Sequence, residues 1–82
     1  MNKEQIRELC VCGRIKWSTH AAKRIQEGGI RRADILYCLK TGEIIEDYPD
    51  AFPYPSCLVY GYSKEDRVLH VVAGCDGEYL YI

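Results

Sequence analysis

His20 and Arg24 stand four residues apart in the stretch WSTHAAKRIQEGGI, residues 17–30, so on a helix they share one face. Ser18 is a natural N-cap, which puts His20 at the second helical position. The unpaired N–H groups and the positive dipole end at that point favour an anion such as phosphate. The same field opposes the imidazolium form of a histidine placed there. A neutral imidazole beside a bound phosphate can pass a proton as general acid or base. An arginine one turn on can clamp a phosphate oxygen or stabilise developing charge. Both residues border the apolar stripe of Ala21, Ala22 and Ile25, so they also fit the plain polar margin of a small core helix. His-x-x-x-Arg is common on helices, and the pattern alone does not choose between the two.

The second half of the chain adds fewer chemical groups. Arg67 and His70 are close in sequence, but three residues apart on a strand they face opposite sides. They can join His20 and Arg24 only if the fold brings them there. His70 lies in VLHVVAGC, where both faces of a strand are mostly apolar; that pattern predicts a central strand with His70 among aliphatic neighbours. Tyr60 and Tyr62 share one strand face, and Tyr79 and Tyr81 share another. Such rings can stack nucleic-acid bases on an open sheet or simply cover a core. Cys10 and Cys12 are too close for a zinc pair, and no downstream pair answers them, so no metal or other cofactor is expected. Phosphate-loop, nucleophile-elbow and dinucleotide motifs are absent.

Three helices and four strands must position these groups. Asn2 caps a first helix, with Gln5 at the capping-box position and Ile6, Leu9 and Cys10 on one stripe. Gly13 closes it, and RIKW reads as an extended link. The Ser18 helix stops at Gly28-Gly29, and a third helix spans about Arg32 to Lys40, with Ile35, Leu36 and Leu39 together, ending at Gly42. EIIEDY is a strand stopped by Pro49, an acidic edge expected to pair with the basic helices. PDAFPYP is an irregular loop. SCLVYGY and VLHVVAGC form a hairpin through the polar turn SKEDR, and Asp76-Gly77 turns the chain into a last strand. The expectation is a single α+β domain over residues 1–82, with two to three N-terminal helices packed on one face of a three- to four-stranded antiparallel sheet.

Composition narrows the classes further. The 82 residues are 48% hydrophobic and 28% charged, values of an ordinary globular domain rather than a disordered chain. No apolar run of about 18 residues marks a membrane span, and the N-terminus lacks a signal core, so a cytoplasmic location with no membrane partner is expected. Five cysteines at irregular spacing read as free thiols of such a compartment. The net charge is −1, yet residues 1–42 hold nine of the eleven Lys and Arg and residues 43–82 hold eight of the twelve acids. A basic first half can meet phosphates or can attract the acidic second half.

The stretch WSTHAAKRIQEGGI, then DIL..L.TGEIIEDYPD, PYPSCLVYGY and LHVV, together resemble the small prokaryotic family catalogued as domain of unknown function 4258, in the right order over about residues 6 to 82. Trp17, Ser18, His20, Ala21 and Arg24 match its helix signature. Glu43, Ile44, Glu46, Tyr48 and Pro49 match the strand that follows, and Pro55, Ser56 and His70 match later positions. The chain departs from the pattern at Arg31, where a capping Ser or Thr is usual, and stops at Ile82 where relatives usually run on with a threonine, a tyrosine and a proline.

The resemblance implies a toxin-like protein akin to the RelE and MqsR messenger-RNA interferases, a RelE-like fold with one sheet face free for RNA, and a neighbouring zinc-finger or DNA-binding antitoxin. The expected function is thus the toxin of a type II toxin–antitoxin pair, a metal-independent endoribonuclease acting on RNA, including ribosome-bound RNA. His20, Arg24 and His70 are the catalytic candidates, and Ser18, Arg67, Tyr60 and Tyr81 the candidates for binding RNA or phosphate. The competing expectation is a non-catalytic module that holds a protein through its sheet edge or tyrosine face. A helical DNA reader is disfavoured, because no helix carries a recognition pattern of basic residues.

Overall fold

The computed structural model describes all of residues 1–82. Chain order is α1 (Lys3–Val11), β1 (Ile15–Lys16), α2 (Thr19–Gln26), α3 (Arg32–Thr41), β2 (Glu43–Tyr48), β3 (Ser56–Tyr62), β4 (Val68–Cys75) and β5 (Leu80–Tyr81). The local signals act where the sequence places them. Asn2 accepts from the Gln5 amide at 2.9 Å and Ser18 Oγ from the Ala21 amide at 3.0 Å. Gly28 and Gly29, at φ 94° and 86°, end α2 in a region that L-residues avoid. Arg31 brings no side-chain acceptor to the start of α3. There the Asp34 carboxylate reaches back to accept from the Arg31 amide at 3.0 Å, and Glu65 pairs with the Arg31 guanidinium at 2.8 Å.

The sheet differs from the expectation. It has five strands in the order β1-β5-β4-β3-β2, and β1 pairs parallel to β5 (Ile15 with Leu80, Lys16 with Tyr81). It is therefore mixed rather than antiparallel throughout. RIKW, expected as a link, contributes a strand of two residues. That is too short to carry a period-2 signal, and its identity comes from its distant partner. The ladder extends past the strands: Leu80 donates to the Arg14 carbonyl, Ile82 to Lys16 and Ser18 to Ile82, at 2.9, 3.0 and 2.8 Å. The other pairings, β2–β3, β3–β4 and β4–β5, are antiparallel as expected, with a bulge between Ile44 and Glu46.

One face of this sheet is covered. Cys57, Val59, Val71, Ala73, Cys75 and Leu80 point into the core, where Ile6 and Leu9 of α1 and Ile35, Cys38 and Leu39 of α3 meet them. Lys3 and Arg7 of α1 donate to the Leu39 and Lys40 carbonyls at the C-terminal end of α3, so basic residues of one helix satisfy the negative pole of another. Burial pushes the Cys38 and Cys57 thiols up, and all five cysteines are free.

The opposite face is open. β4 is central in strand order, but Val68 and Val72 remain 52% and 55% exposed, and His70 is exposed beside Tyr60 rather than enclosed by aliphatic side chains. Apolar residues on both faces of the strand suggested a covering layer on each side; the three helices supply only one. The acidic strand β2 also departs from expectation. The ion pairs are Arg14–Glu78, Arg31–Asp34 and Arg31–Glu65, and none involves Glu43, Glu46 or Asp47. Glu46 instead accepts from the Tyr48 hydroxyl. The oppositely charged halves do meet, at Arg14–Glu78 and Arg31–Glu65, but not along that edge.

Candidate active site in the groove between α2 and β4

The β1–β5 ladder delivers the chain to Ser18, whose amide is the last rung, and the cap then starts α2 beside the outer edge of β4. Ala21, Ala22 and Ile25, expected as a buried stripe, are only half-buried, and α2 has no fully buried residue. It lies at the margin of the core instead of on top of it. A groove of about 340 Å³ opens between α2 and β4. Ile30, Ile35, Leu69, Val71 and Ile82 give it an apolar floor, with Val72 alongside.

The polar groups of the groove are Ser18, His20 and Arg24 from α2 and His70 from β4. Residues fifty positions apart in sequence thus line one cleft. His20, Arg24 and His70 are all exposed, and no carboxylate side chain lines the groove, although the chain holds twelve Asp and Glu. Arg24 stands apart from the other arginines. Arg7, Arg14, Arg31, Arg32 and Arg67 are each engaged by a carbonyl, a carboxylate or the Trp17 ring, whereas Arg24 has no such partner. Two imidazoles and an unengaged guanidinium over an apolar floor are groups that can hold an anion and pass a proton.

The remaining candidates are more scattered. Arg67 is in the adjoining hollow with Arg24, Gly28 and Gly29, and its guanidinium donates to the Gly29 carbonyl; it braces the end of α2 more than it faces the groove. Tyr60 flanks His70 on the open face, ring centroids 5.1 Å apart, and its hydroxyl meets that of Tyr62 at 3.2 Å. Tyr81 is outside the groove. It stacks on Tyr54 at 4.0 Å and donates to Asp76 at 2.6 Å, and that bond, with the Tyr79 and Glu78 amides, holds the Asp76 carboxyl down at about 2. Ser18 is committed as an acceptor to its helix cap, leaving its hydroxyl proton free for a ligand.

What the sequence did not indicate is the edge of β4. β5 pairs with it only at Gly74 and Cys75, so from Val68 to Ala73 the side towards α2 has no neighbouring strand. The Tyr60–His70 pairing across β3 and β4 was also unforeseen, although the alternation of each strand was legible. No group of three or more His, Cys, Asp or Glu side chains stands close enough to share a metal ion, and no helix is long and apolar enough to cross a membrane.

The fold and the groove define a small α+β domain with helices on one sheet face and a cleft lined by His20, Arg24 and His70 at the margin. The family model described as "Domain of unknown function (DUF4258)" matches residues 17–82, and the chain belongs to that family. The match starts at Trp17 and takes in α2, α3 and β2 to β5, hence every residue of the groove. No curated protein and no solved structure matches the chain.

Proposed function

We propose that the protein is a metal-independent endoribonuclease of toxin type, acting at the groove between α2 and β4. The observation that carries this reading is the convergence of His20, Arg24 and His70 on one open cleft whose lining has no Asp or Glu side chain. RNA supplies its own nucleophile. The 2′-hydroxyl oxygen attacks the adjacent phosphorus and the bond to the 5′-oxygen breaks, leaving a 2′,3′-cyclic phosphate and a free 5′-hydroxyl. One imidazole takes the 2′-hydroxyl proton and the other gives a proton to the departing 5′-oxygen. Arg24 balances the extra negative charge of the pentacoordinate phosphorus. Helices on one face and an open sheet face bearing Tyr60 and Tyr62 agree with a RelE-like arrangement, in which bases flanking the scissile phosphate stack on the exposed rings. The partner such a toxin implies is an antitoxin of zinc-finger or DNA-binding type.

Purified protein incubated with RNA in EDTA, followed by end mapping, tests the reading. Cleavage with cyclic-phosphate ends is expected, and His20→Ala, His70→Ala and Arg24→Ala should each lower the rate at least about 100-fold. Undiminished cleavage by all three variants would remove the groove from consideration; no cleavage by the parent protein would overturn the enzymatic reading. The second reading, a binding module without turnover, is favoured by one observation: Val68, Val72 and Tyr62 leave an apolar strip on the open face, each about half exposed.

A further inference from the structure

The acids of β2 stand beside an apolar half of the open face, and no cation of the chain pairs with them. Residues 41–63 hold Glu43, Glu46, Asp47 and Asp50 but no lysine, arginine or histidine, and none of these acids enters an ion pair. The flanking Lys40 and Lys64 line a hollow beside Tyr37 of α3 instead. The bulge in β2 sets direction. In a regular strand residues 43 and 46 face opposite sides. Across the bulge Glu43 pairs with Tyr60 and Glu46 with Leu58, and cross-strand partners share a face. The extra residue therefore re-aims Glu46, and both carboxylates stand on the open face, about 7 Å apart along the strand. Glu43, Tyr60 and Tyr62 line a hollow of about 300 Å³ there with Thr41, Gly42 and Gly61. A carboxylate beside two phenol rings suits a guanidinium, which pairs with the first and stacks on the second. Towards β4 the same face continues as Leu58 opposite Val72 and Tyr62 opposite Val68, with both valines about half exposed.

We infer that this face docks an amphipathic α-helix of a partner protein, its apolar stripe on Leu58, Val68 and Val72 and an arginine-bearing margin over Glu43 and Glu46. A helix is the element that fits, because it satisfies its own main-chain groups while covering the middle of a sheet. An extended segment laid there would leave its amides and carbonyls unpaired. Arginines four residues apart are separated by about 6 Å along a helix, close to the spacing of the two carboxylates. Charge selects the class of partner and its orientation. Phosphates are repelled on the β2 side, so the occupant there is a protein rather than a nucleic acid. Lys16 holds the opposite side of the face, since it pairs with Tyr81, Tyr81 with Gly74 and Gly74 with Ser56. A basic margin is therefore directed to β2. The inference goes beyond the cleavage reading and does not rest on it; only the consequence that a docked helix withdraws Tyr60 and Tyr62 from RNA depends on that reading.

The test uses the whole protein and two synthetic peptides of about eighteen residues, long enough to hold a helix. Both carry a stripe of leucines; along one margin of it, four residues apart, one peptide has arginines and the other glutamates. The arginine peptide should bind and shift the NMR amide signals of Glu43, Glu46, Tyr62 and Val72. The glutamate peptide should bind at least about tenfold more weakly. Glu43→Arg combined with Glu46→Arg should reverse that preference, a gain of binding that a misfolded protein could not show. Val68→Ser combined with Val72→Ser should weaken the arginine peptide at least about tenfold and leave the preference as it was. The inference is overturned if the arginine peptide does not bind, if the two peptides bind equally, or if it shifts only signals of α2. An unchanged preference in the charge-reversed protein, or an unchanged affinity in the serine variant, would overturn it as well. So would an RNA oligonucleotide that shifts the β2 and β3 signals where the arginine peptide does not, and that result leaves the cleavage reading intact. Arginine-peptide binding by a protein that cleaves no RNA would instead remove the cleavage reading and support the docked helix.

Discussion

α2 and α3 are consecutive helices of similar length, yet they are held by opposite means. α3 buries Ile35, Cys38 and Leu39 completely or nearly so, and starts with an arginine that cannot cap. α2 buries nothing fully, but its start is fixed twice, by the Ser18 hydroxyl and by the bond from the Ser18 amide to Ile82. α3, anchored through one face, exposes Arg32 and Lys40 on the other, whereas α2, anchored at its start, leaves His20 and Arg24 exposed beside a stripe that is only half-buried. The same division explains where the groove lies: between the element with least burial and a stretch of β4 that has no strand beside it.

Cutting into the burial of each helix should give the largest contrast. Leu39→Ala removes a fully buried side chain and should cost about 2–5 kcal/mol in denaturant unfolding. Ile25→Ala on half-buried α2 should cost about 1 kcal/mol. Equal losses would mean that α2 is a core helix and the contrast is wrong. Exchanging the start signals should reverse the order. Ser18→Ala leaves the Ala21 amide without its acceptor and should cost about 1 kcal/mol, with faster amide exchange confined to α2. Arg31→Ala should change stability by less than about 0.5 kcal/mol, because the guanidinium is exposed and the Asp34 carboxylate keeps its bond from the backbone amide of residue 31.

The smallest effect concerns pH. The Tyr81 hydroxyl and the Tyr79 and Glu78 amides lower the Asp76 carboxyl from 3.8 to about 2. The folded state thus binds the proton less readily than the unfolded chain. Its stabilising effect is complete above the unfolded value and fades as pH falls from about 4 towards 2. Asp76→Asn should lower the urea midpoint at pH 5 and flatten its fall between pH 4 and 2. Parallel curves for both proteins would show that this turn does not contribute to acid stability.

Much of the local structure was legible. Asn2 and Ser18 cap where their spacing to the following residues says they should. SKEDR makes the turn between β3 and β4, with Ser63 Oγ accepting from the Glu65 and Arg67 amides at 3.2 Å. Asp76-Gly77 turns the chain again, with Gly77 at φ 93°. In the candidate site the placement of the helical half was legible: spacing put His20 and Arg24 on one helix face at the border of the apolar stripe, and both are exposed there. The environment of His70 was misread because alternation reports which residues share a face and not whether a layer covers it. The acidic strand was misread because charge counts give attraction between halves without saying which residues meet.

What the sequence by itself determined is everything encoded within a few residues: the helices with their caps and glycine stops, the turns, and the period-2 faces of β3 and β4. Those signals are hydrogen bonds and dihedral preferences of near neighbours, so they survive without knowledge of the rest. Tertiary structure alone decided the parallel pairing of Ile15–Lys16 with Leu80–Tyr81, the bare edge of β4, and the cleft shared by His20 and His70. It also decided why Gly42 is glycine. Its φ of −78° suits any residue, but a side chain there would press to 2.5 Å from the Tyr60 carbonyl. Each of these depends on which distant segments approach one another, and no local pattern of side chains carries that information.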